Sequence, residues 1–371
     1  MPISVYVHIP FCKAKCNYCD FLSFYDKEPL YELYVDALCR DIYNSSKDLE
    51  DKQVQTIFFG GGTPTVLAYE HLGRIVETLK SLLTLSSAFN LSIEANPETV
   101  DLIYLENIKK IGFNRISFGV QSFDDKLLSR IGRIHSSNKA IKTIQSAKSA
   151  GFDDINIDLM FALPGQSLQD FANTLDTAIS LAPTHISCYA LTVEENTPLA
   201  QNKALMMALP DETLDRKMYY LAKDRLLRAG FIHYEISNWA KEGSICRHNL
   251  GYWTGREYIG FGAGAHSFIN KQRYSKTNKI DEYILGDFSG HNIETITDFS
   301  EISEFVFLGL RLINGIDTIE FEKRFNKNIF SVFGEKFLNL SKQGLLIIDE
   351  NIIRLTAYGI DLSNQVFSEF I

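Results

Sequence analysis

Short apolar runs that are continuous or alternate with polar residues recur along the first half of the chain, and each is followed by a stretch with apolar residues at helical spacing. Ser4 to His8 alternates and reads as a buried strand; Val54–Phe59, Leu91–Ala95, Arg115–Gly119, Ile155–Met160 and His185–Leu191 read as five more. Between them, Pro29–Asn44 carries Leu30, Leu33, Tyr34, Ala37 and Leu38 at helical intervals. Leu67–Leu83, Leu102–Ile111, Asn138–Ala150 and a stretch reaching about Leu181 follow the same pattern, with Gly112 and Gly151 as stops. Strands that alternate with helices predict parallel βαβ units, an α/β fold closed or partly closed into a barrel. In such a barrel the strand ends that lead into helices share one face, where active sites sit.

The pattern changes further on. Asp211 is placed to cap a helix whose stripe is Leu214, Met218, Leu221 and Leu226, ended by Gly230, and His233–Ser237 reads as a further strand. Alternating glycines from Tyr258 to His266 indicate close backbone packing or ligand approach. Beyond about Asp287, Thr297–Ile313, Thr318–Phe325 and Ser331–Gln343 look helical. Leu345–Ile348 and Ile352–Leu355 read as a small hairpin, and Tyr358–Glu369 as a final helix. Helices followed by a two-stranded wing predict a smaller, mostly helical, winged-helix-like unit, so the expected division is 1–287 and 288–371. A second unit is also the natural prior for 371 residues, since single cores stop growing at ~250–300.

Composition narrows the function. Hydrophobic residues are 45% and charged residues 22%, an ordinary globular balance, and the formal charge of -9 argues against a general nucleic-acid binder. No apolar run reaches the ~18 residues of a membrane span, and the N-terminus has no signal-peptide pattern, so a soluble, cytoplasmic protein is expected. Six cysteines, three of them clustered and Cys39, Cys188 and Cys246 scattered, do not form a disulfide framework. Cys39 reads as a helix-packed thiol.

The clustered three carry the chemistry. Cys12, Cys16 and Cys19 form a C-x3-C-x2-C loop directly after the first strand. Three thiolates on one compact loop can hold three corners of a 4Fe-4S cube and leave the fourth iron free for a small molecule, the chemical reason to expect S-adenosylmethionine. A three-coordinate zinc site is the alternative. The second strand stops at Gly60-Gly61-Gly62-Thr63, and Tyr6, Glu94, Gln121 and Asp158 also fall in or beside strands, so all could converge with the cysteines on one barrel rim. Far downstream, Cys246-Arg247-His248-Asn249-Leu250-Gly251-Tyr252-Trp253 is dense in groups that bind metals or flat rings.

These residues resemble the radical S-adenosylmethionine superfamily, and within it the HemN/HemW group. The resemblance runs through Y-V-H-I-P-F-C, G-G-G-T-P-T, S-I-E-A-N-P, G-V-Q-S-F, I-D-L-M-F-A-L-P-G-Q and R-L-T-A-Y-G. It implies a partial (β/α)6-type barrel in which Cys12, Cys16 and Cys19 ligate a 4Fe-4S cluster. S-adenosylmethionine would chelate the open iron amid Tyr6, Tyr18, Gly61, Gly62, Thr63, Glu94, Gln121, Arg133 and Asp158. Taken singly, the glycines also read as a tight turn, Tyr18 as core, and Glu94, Arg133 and Asp158 as structural ion pairs. Oxidases of the HemN kind carry a fourth cysteine two residues past the triad and a longer N-terminal arm; here that position is Phe21 and eleven residues precede Cys12. The chain instead looks like the HemW side, with C-x-F and with H-N-x-x-Y-W at His248–Trp253, where His248, Tyr252 and Trp253 are the implied haem contacts. Cys246 reads as a packed or free thiol, with a thiolate haem ligand as the alternative, and His266 as structural. The resemblance therefore implies a haem chaperone that delivers haem to acceptors such as respiratory haem proteins. The alternative is an oxygen-independent coproporphyrinogen III oxidase, a radical oxidative decarboxylase of porphyrin biosynthesis. Homodimerisation, and whether S-adenosylmethionine is cleaved at all, stay open. A nucleic-acid-modifying radical enzyme is the weakest reading on charge, and no nucleic-acid partner is expected.

Overall fold

The computed structural model describes residues 2–371. The first six strands are β1 (Pro2–Ile9), β2 (Gln53–Gly61), β3 (Leu85–Ala95), β4 (Arg115–Gln121), β5 (Asp154–Phe161) and β6 (His185–Ala190), side by side in sequence order and all parallel. Helices α1 (Tyr31–Ser45), α2 (Tyr69–Leu82), α3 (Leu102–Ile111), α4 (Asp125–Arg130), α5 (Ser137–Ser149) and α6 (Leu168–Ser180) connect them. Neighbouring strands in sequence order are what successive βαβ crossovers produce. The expected α/β barrel is therefore present.

The strands show what lines its two faces. Ile57 and Phe59, Ile93, Ile116 and Phe118, Ile155 and Ile157, and Ile186 are buried in the core shared with the helices. The alternate positions are Tyr6, Phe58, Glu94, Arg115 and Ser117, Asn156 and Asp158, Ser187 and Tyr189, and these line a cavity. Side chains two apart share a face, so the polar set forms the barrel's interior and the apolar set its outer wall. Full (β/α)8 barrels fill the interior with branched apolar side chains. Here it is an open polar lumen.

Short helices α7 (Pro198–Gln201) and α8 (Lys203–Met207) lead to α9 (Glu212–Arg228), whose N-cap Asp211 accepts from Leu214 N at 2.7 Å. The expected strand at His233–Ser237 is a tight hairpin, β7 (Ile232–Glu235) and β8 (Asn238–Ala240), added antiparallel to β6. Next comes α10 (Arg247–Trp253), packed against β2. The glycine-rich stretch then forms β9 (Tyr258–Phe261), parallel to β1. It continues antiparallel as β10 (His266–Ile269), β11 (Gln272–Ser275), α11 (Ile280–Leu285) and β12 (His291–Thr295). Among the described residues one twelve-stranded sheet results. Its last strand lies beyond the 287/288 division expected from sequence and pairs with β11.

The remaining chain packs α12 (Asp298–Gly309), β13 (Ile316–Asp317), α13 (Thr318–Phe325) and α14 (Ile329–Lys342) with β14 (Leu346–Asp349) and β15 (Ile352–Leu355). The expected hairpin is joined by β13 as a third strand. The expected final helix breaks at Leu362 into α15 (Ala357–Asp361) and α16 (Ser363–Ser368). Among the described residues no helix is long and apolar enough to cross a membrane.

One buried ion pair fastens the added strands to the barrel. Lys276, just after β11, donates to Asp41 of α1 at 2.9 Å, and Tyr283 of α11 donates to the other carboxylate oxygen at 2.8 Å; the two charged side chains are 4% and 0% exposed. Removing one partner of such a pair leaves a buried group uncompensated. Lys276→Met is expected to cost about 3–5 kcal/mol, read as a lower urea midpoint.

Candidate functional site: a polar lumen under a cysteine loop

The cysteine loop is held in place by backbone from three distant parts of the chain. Its two ends are pinned together, Phe24 N donating to Pro10 O at 2.7 Å and Cys12 N to Phe24 O at 2.9 Å. The turn after β2 donates Gly62 N to Ile9 O at 2.9 Å and Thr63 N to Phe11 O at 2.7 Å. On the far side, Asn17 donates its backbone N–H to Ile131 O and its side-chain amide to Arg130 O, and Leu199 N donates to Asn17 O. The glycines belong to this docking. A Cβ on Gly61, whose φ is +112°, would lie 2.6 Å from the His8 ring, and one on Gly62 would lie 2.6 Å from the Phe11 carbonyl oxygen. A side chain at Gly62 would press on the backbone of the cysteine loop, and one at Gly61 on the His8 ring.

The three thiols are half-buried and unbridged. Burial pushes the Cys12 and Cys19 thiols up, and the neighbouring Cys16 sulfur adds to both shifts. Thr63 Oγ1 lies 3.5 Å from Cys12 Sγ, and Arg133 Nη1 donates to Cys16 Sγ at 3.3 Å. Arg133 also donates to Gly119 O, while its buried Nε has no partner. Among the described residues no three His, Cys, Asp or Glu side chains gather as one metal ion would need. Tyr18 turns into a small apolar cluster with Leu127, Ile131, Met160 and Leu163.

Below the loop, the lumen has a volume of about 250 Å³. Glu94, near the end of β3, has its carboxyl raised to about 8 by burial and then by Asp158. Asp158 is fixed by a chain that crosses the barrel. Tyr234 OH donates to His185 Nε2 at 2.8 Å, and His185 Nδ1 donates to Asn156 Oδ1 at 2.6 Å. Asn156 Nδ2 then donates to Asp158 Oδ1 at 2.7 Å, and Ser117 Oγ to Oδ2 at 2.8 Å. Gln121 ends β4 in a left-handed conformation, φ +67°, and its amide lies against Gly119. Tyr6, Glu94 and Asp158 thus share the lumen, whereas Tyr18, Thr63 and Arg133 border the cysteine loop. Arg115, Ser117, Asn156, Ser187 and Tyr189 line the lumen without having been singled out from sequence. The signal was available, because they alternate with buried aliphatics on the same strands.

The segment His248–Trp253, read from sequence as one cluster, divides between two surroundings. His248 is 3% exposed, 5.0 Å from the Phe58 ring and stacked on it. Both its ring nitrogens are engaged, Nδ1 with Thr56 Oγ1 at 2.8 Å and Nε2 with Tyr252 OH at 3.0 Å. Thr56 and Arg115 stand toward the N-terminal ends of their strands, so α10 closes the lumen at the end opposite the cysteines. Trp253 faces outward under Arg311, whose guanidinium is 4.3 Å from the ring. Cys246 is buried where α10 begins, and His266 is exposed.

Burial holds most histidines neutral. It lowers His8 and His233 to about 4 and His135 and His248 to about 3, and takes His185 far below its usual value. Folded pKa values below the unfolded ~6.5 mean that the unfolded chain binds more protons. Stability is therefore complete above ~6.5 and lost as pH falls, by on the order of 2 kcal/mol per such histidine at pH 5. Melting curves from pH 7 to 5 should show a steep fall in Tm, and His135→Asn should make it shallower.

Over residues 6–178 the chain matches the model of the Radical SAM superfamily, and over 300–362 that of the HemN C-terminal domain. The protein named "Heme chaperone HemW" in Bacillus subtilis (strain 168) is 36% identical over 376 residues, 99% of each chain. Its namesake in Lactococcus lactis is 33% identical over 373 residues, 100% of this chain and 97% of that one. The Escherichia coli (strain K12) protein of the same name is 36% identical over 326 residues, 86% and 85%. The solved structure of coproporphyrinogen III oxidase (HemN) from Escherichia coli, a Radical SAM enzyme, overlays with a TM-score of 0.88. It covers 100% of this chain and 90% of that one at 24% identity, a likeness of fold.

Proposed function

Because the chain belongs to the HemW family within the radical SAM superfamily, we propose that it is a haem chaperone, binding haem and passing it to acceptor haem proteins such as respiratory-chain components. The observation that carries this reading is the 36% identity to a protein named for that role over 99% of both chains.

Membership of the superfamily implies a 4Fe-4S cluster and S-adenosylmethionine. We assign the cluster to Cys12, Cys16 and Cys19, and S-adenosylmethionine to Tyr6, Tyr18, Gly61, Gly62, Thr63, Glu94, Gln121, Arg133 and Asp158. When bound, the cluster supplies one-electron chemistry and an iron corner for the amino and carboxylate groups of S-adenosylmethionine. The chain's own residues hold and orient. The spare Nε of Arg133 offers a donor beside the loop, and the relay from Tyr234 fixes Asp158 in one orientation. Glu94 keeps a proton at neutral pH and releases it when a cationic group arrives. The expected division into 1–287 and 288–371 stands as our assignment of two units, with β12 reaching back to the larger one.

Haem we assign to α10, at His248, Tyr252 and Trp253. The His248 imidazole is neutral, as a metal ligand must be, and reaches iron by exchanging the Tyr252 hydroxyl at Nε2. The oxidase alternative has less support: the relatives that match over nearly the whole chain are named as chaperones, and the likeness to the oxidase is one of fold at 24% identity.

One anaerobic preparation tests these assignments together. Reconstituted protein should hold about four irons per chain, fall to background as Cys12→Ala, Cys16→Ala or Cys19→Ala, and yield no protoporphyrinogen IX from coproporphyrinogen III with reductant and S-adenosylmethionine. Product formation would restore the oxidase. In a separate titration, His248→Ala should weaken haem binding on the order of tenfold or more and shift the Soret band; an unchanged affinity and spectrum would remove His248 from the site.

A further inference from the structure

A second cavity, of about 360 Å³, lies outside the barrel between α10, the edge strands and α12. Its walls are mainly apolar: Trp253, Tyr258, Phe268, Phe307 and Leu308. Charge enters from two arginines, one of which is already matched. Arg273 donates to both oxygens of Glu304 at 2.8 and 2.9 Å. Arg256 differs. Among the described residues its side chain makes no hydrogen bond or ion pair, and its buried Nη1 has no partner. Trp253 Nε1, in the same lining, is also a buried donor without a partner. Two orphan donors in an aromatic-walled cavity point to an occupant that is apolar in body and carries an acceptor at its edge.

We propose that this cavity docks one edge of a flat, carboxylate-bearing macrocycle, with the Arg256 guanidinium holding a carboxylate and Trp253, Tyr258 and Phe268 holding the apolar face. The proposal rests on the haem-carrying reading and gives that cargo a place. Arginine is the side chain suited to it, since its planar fork pairs with carboxylates through charge-assisted bonds. At about 360 Å³ the cavity falls in the range for organic ligands. Tyr252 is the partition, since it lines both cavities. On the lumen side its hydroxyl meets His248 Nε2, and on the outer side its ring stands edge-on to Tyr258, centroids 4.8 Å apart. An occupant that turns Tyr252 aside frees His248 Nε2 and opens the outer cavity toward the lumen. Cargo and cofactor sites then share one side chain.

The test uses the full chain and three probes: haem, protoporphyrin IX and protoporphyrin IX dimethyl ester, followed by absorbance and by quenching of tryptophan emission. Arg256→Gln should weaken binding of protoporphyrin IX roughly ten- to a hundredfold and leave the ester at its wild-type affinity. Leu308→Trp, which fills the cavity, should weaken all three. Melting temperatures within a degree or two of wild type show that a variant is folded, and Phe307→Trp is the second filling variant where Leu308→Trp is not. Folded Arg256→Gln and filled-cavity variants that bind every probe like wild type overturn the proposal. Equal loss of acid and ester in Arg256→Gln overturns the carboxylate contact. Wild type that binds neither haem nor protoporphyrin IX is a different result, since it removes the haem-carrying reading itself.

Discussion

The alternation of polar and apolar side chains along six parallel strands is the constraint from which the rest follows. Apolar positions face the helices and supply the burial that stabilises the fold. The inward positions are left free of that duty and hold Glu94, Arg115, Asn156, Asp158 and Ser187 instead. Such groups are costly to enclose unless they are bonded, so the lumen is cross-linked by the Tyr234–His185–Asn156–Asp158 chain. One-residue slippage of any strand would exchange the two sets. Register is thus enforced by the same pattern that creates the site.

A lumen of this kind needs closing at its ends. At one end stands the cysteine loop, fastened by glycines too crowded to accept a side chain. At the other stands α10, a seven-residue helix that would not persist alone and is kept by His248 and Tyr252 packing inward. Helix α10 also meets α12, so the C-terminal helices pack against this floor.

Much of this was legible in the sequence. The six strands, their helices, the cysteine triad and the C-terminal helices with their hairpin all carry strong local signals, namely periodicity, caps and spacing. The edge strands β10 to β12 do not. β10 and β11 are only four residues long, β12 is polar and mostly exposed, and each is held by the strand before it in the row from β9. The site was half legible. Residues in motifs stood out, whereas Arg115, Asn156 and Ser187 are unremarkable until the strands are aligned. His248 to Trp253 looked like one surface because neighbours in sequence invite that reading. A short helix instead sends residues four apart inward and the next one out.

The anchoring of the cysteine loop sets an order of assembly. The thiols lie in the first twenty residues, yet the backbone that fixes their loop includes Ile131 and Leu199. A chain emerging from the ribosome N-terminus first therefore presents three loosely held thiols until more than half of it has been made. The loop's docked shape is complete only once α4 and the segment at Leu199 are in place.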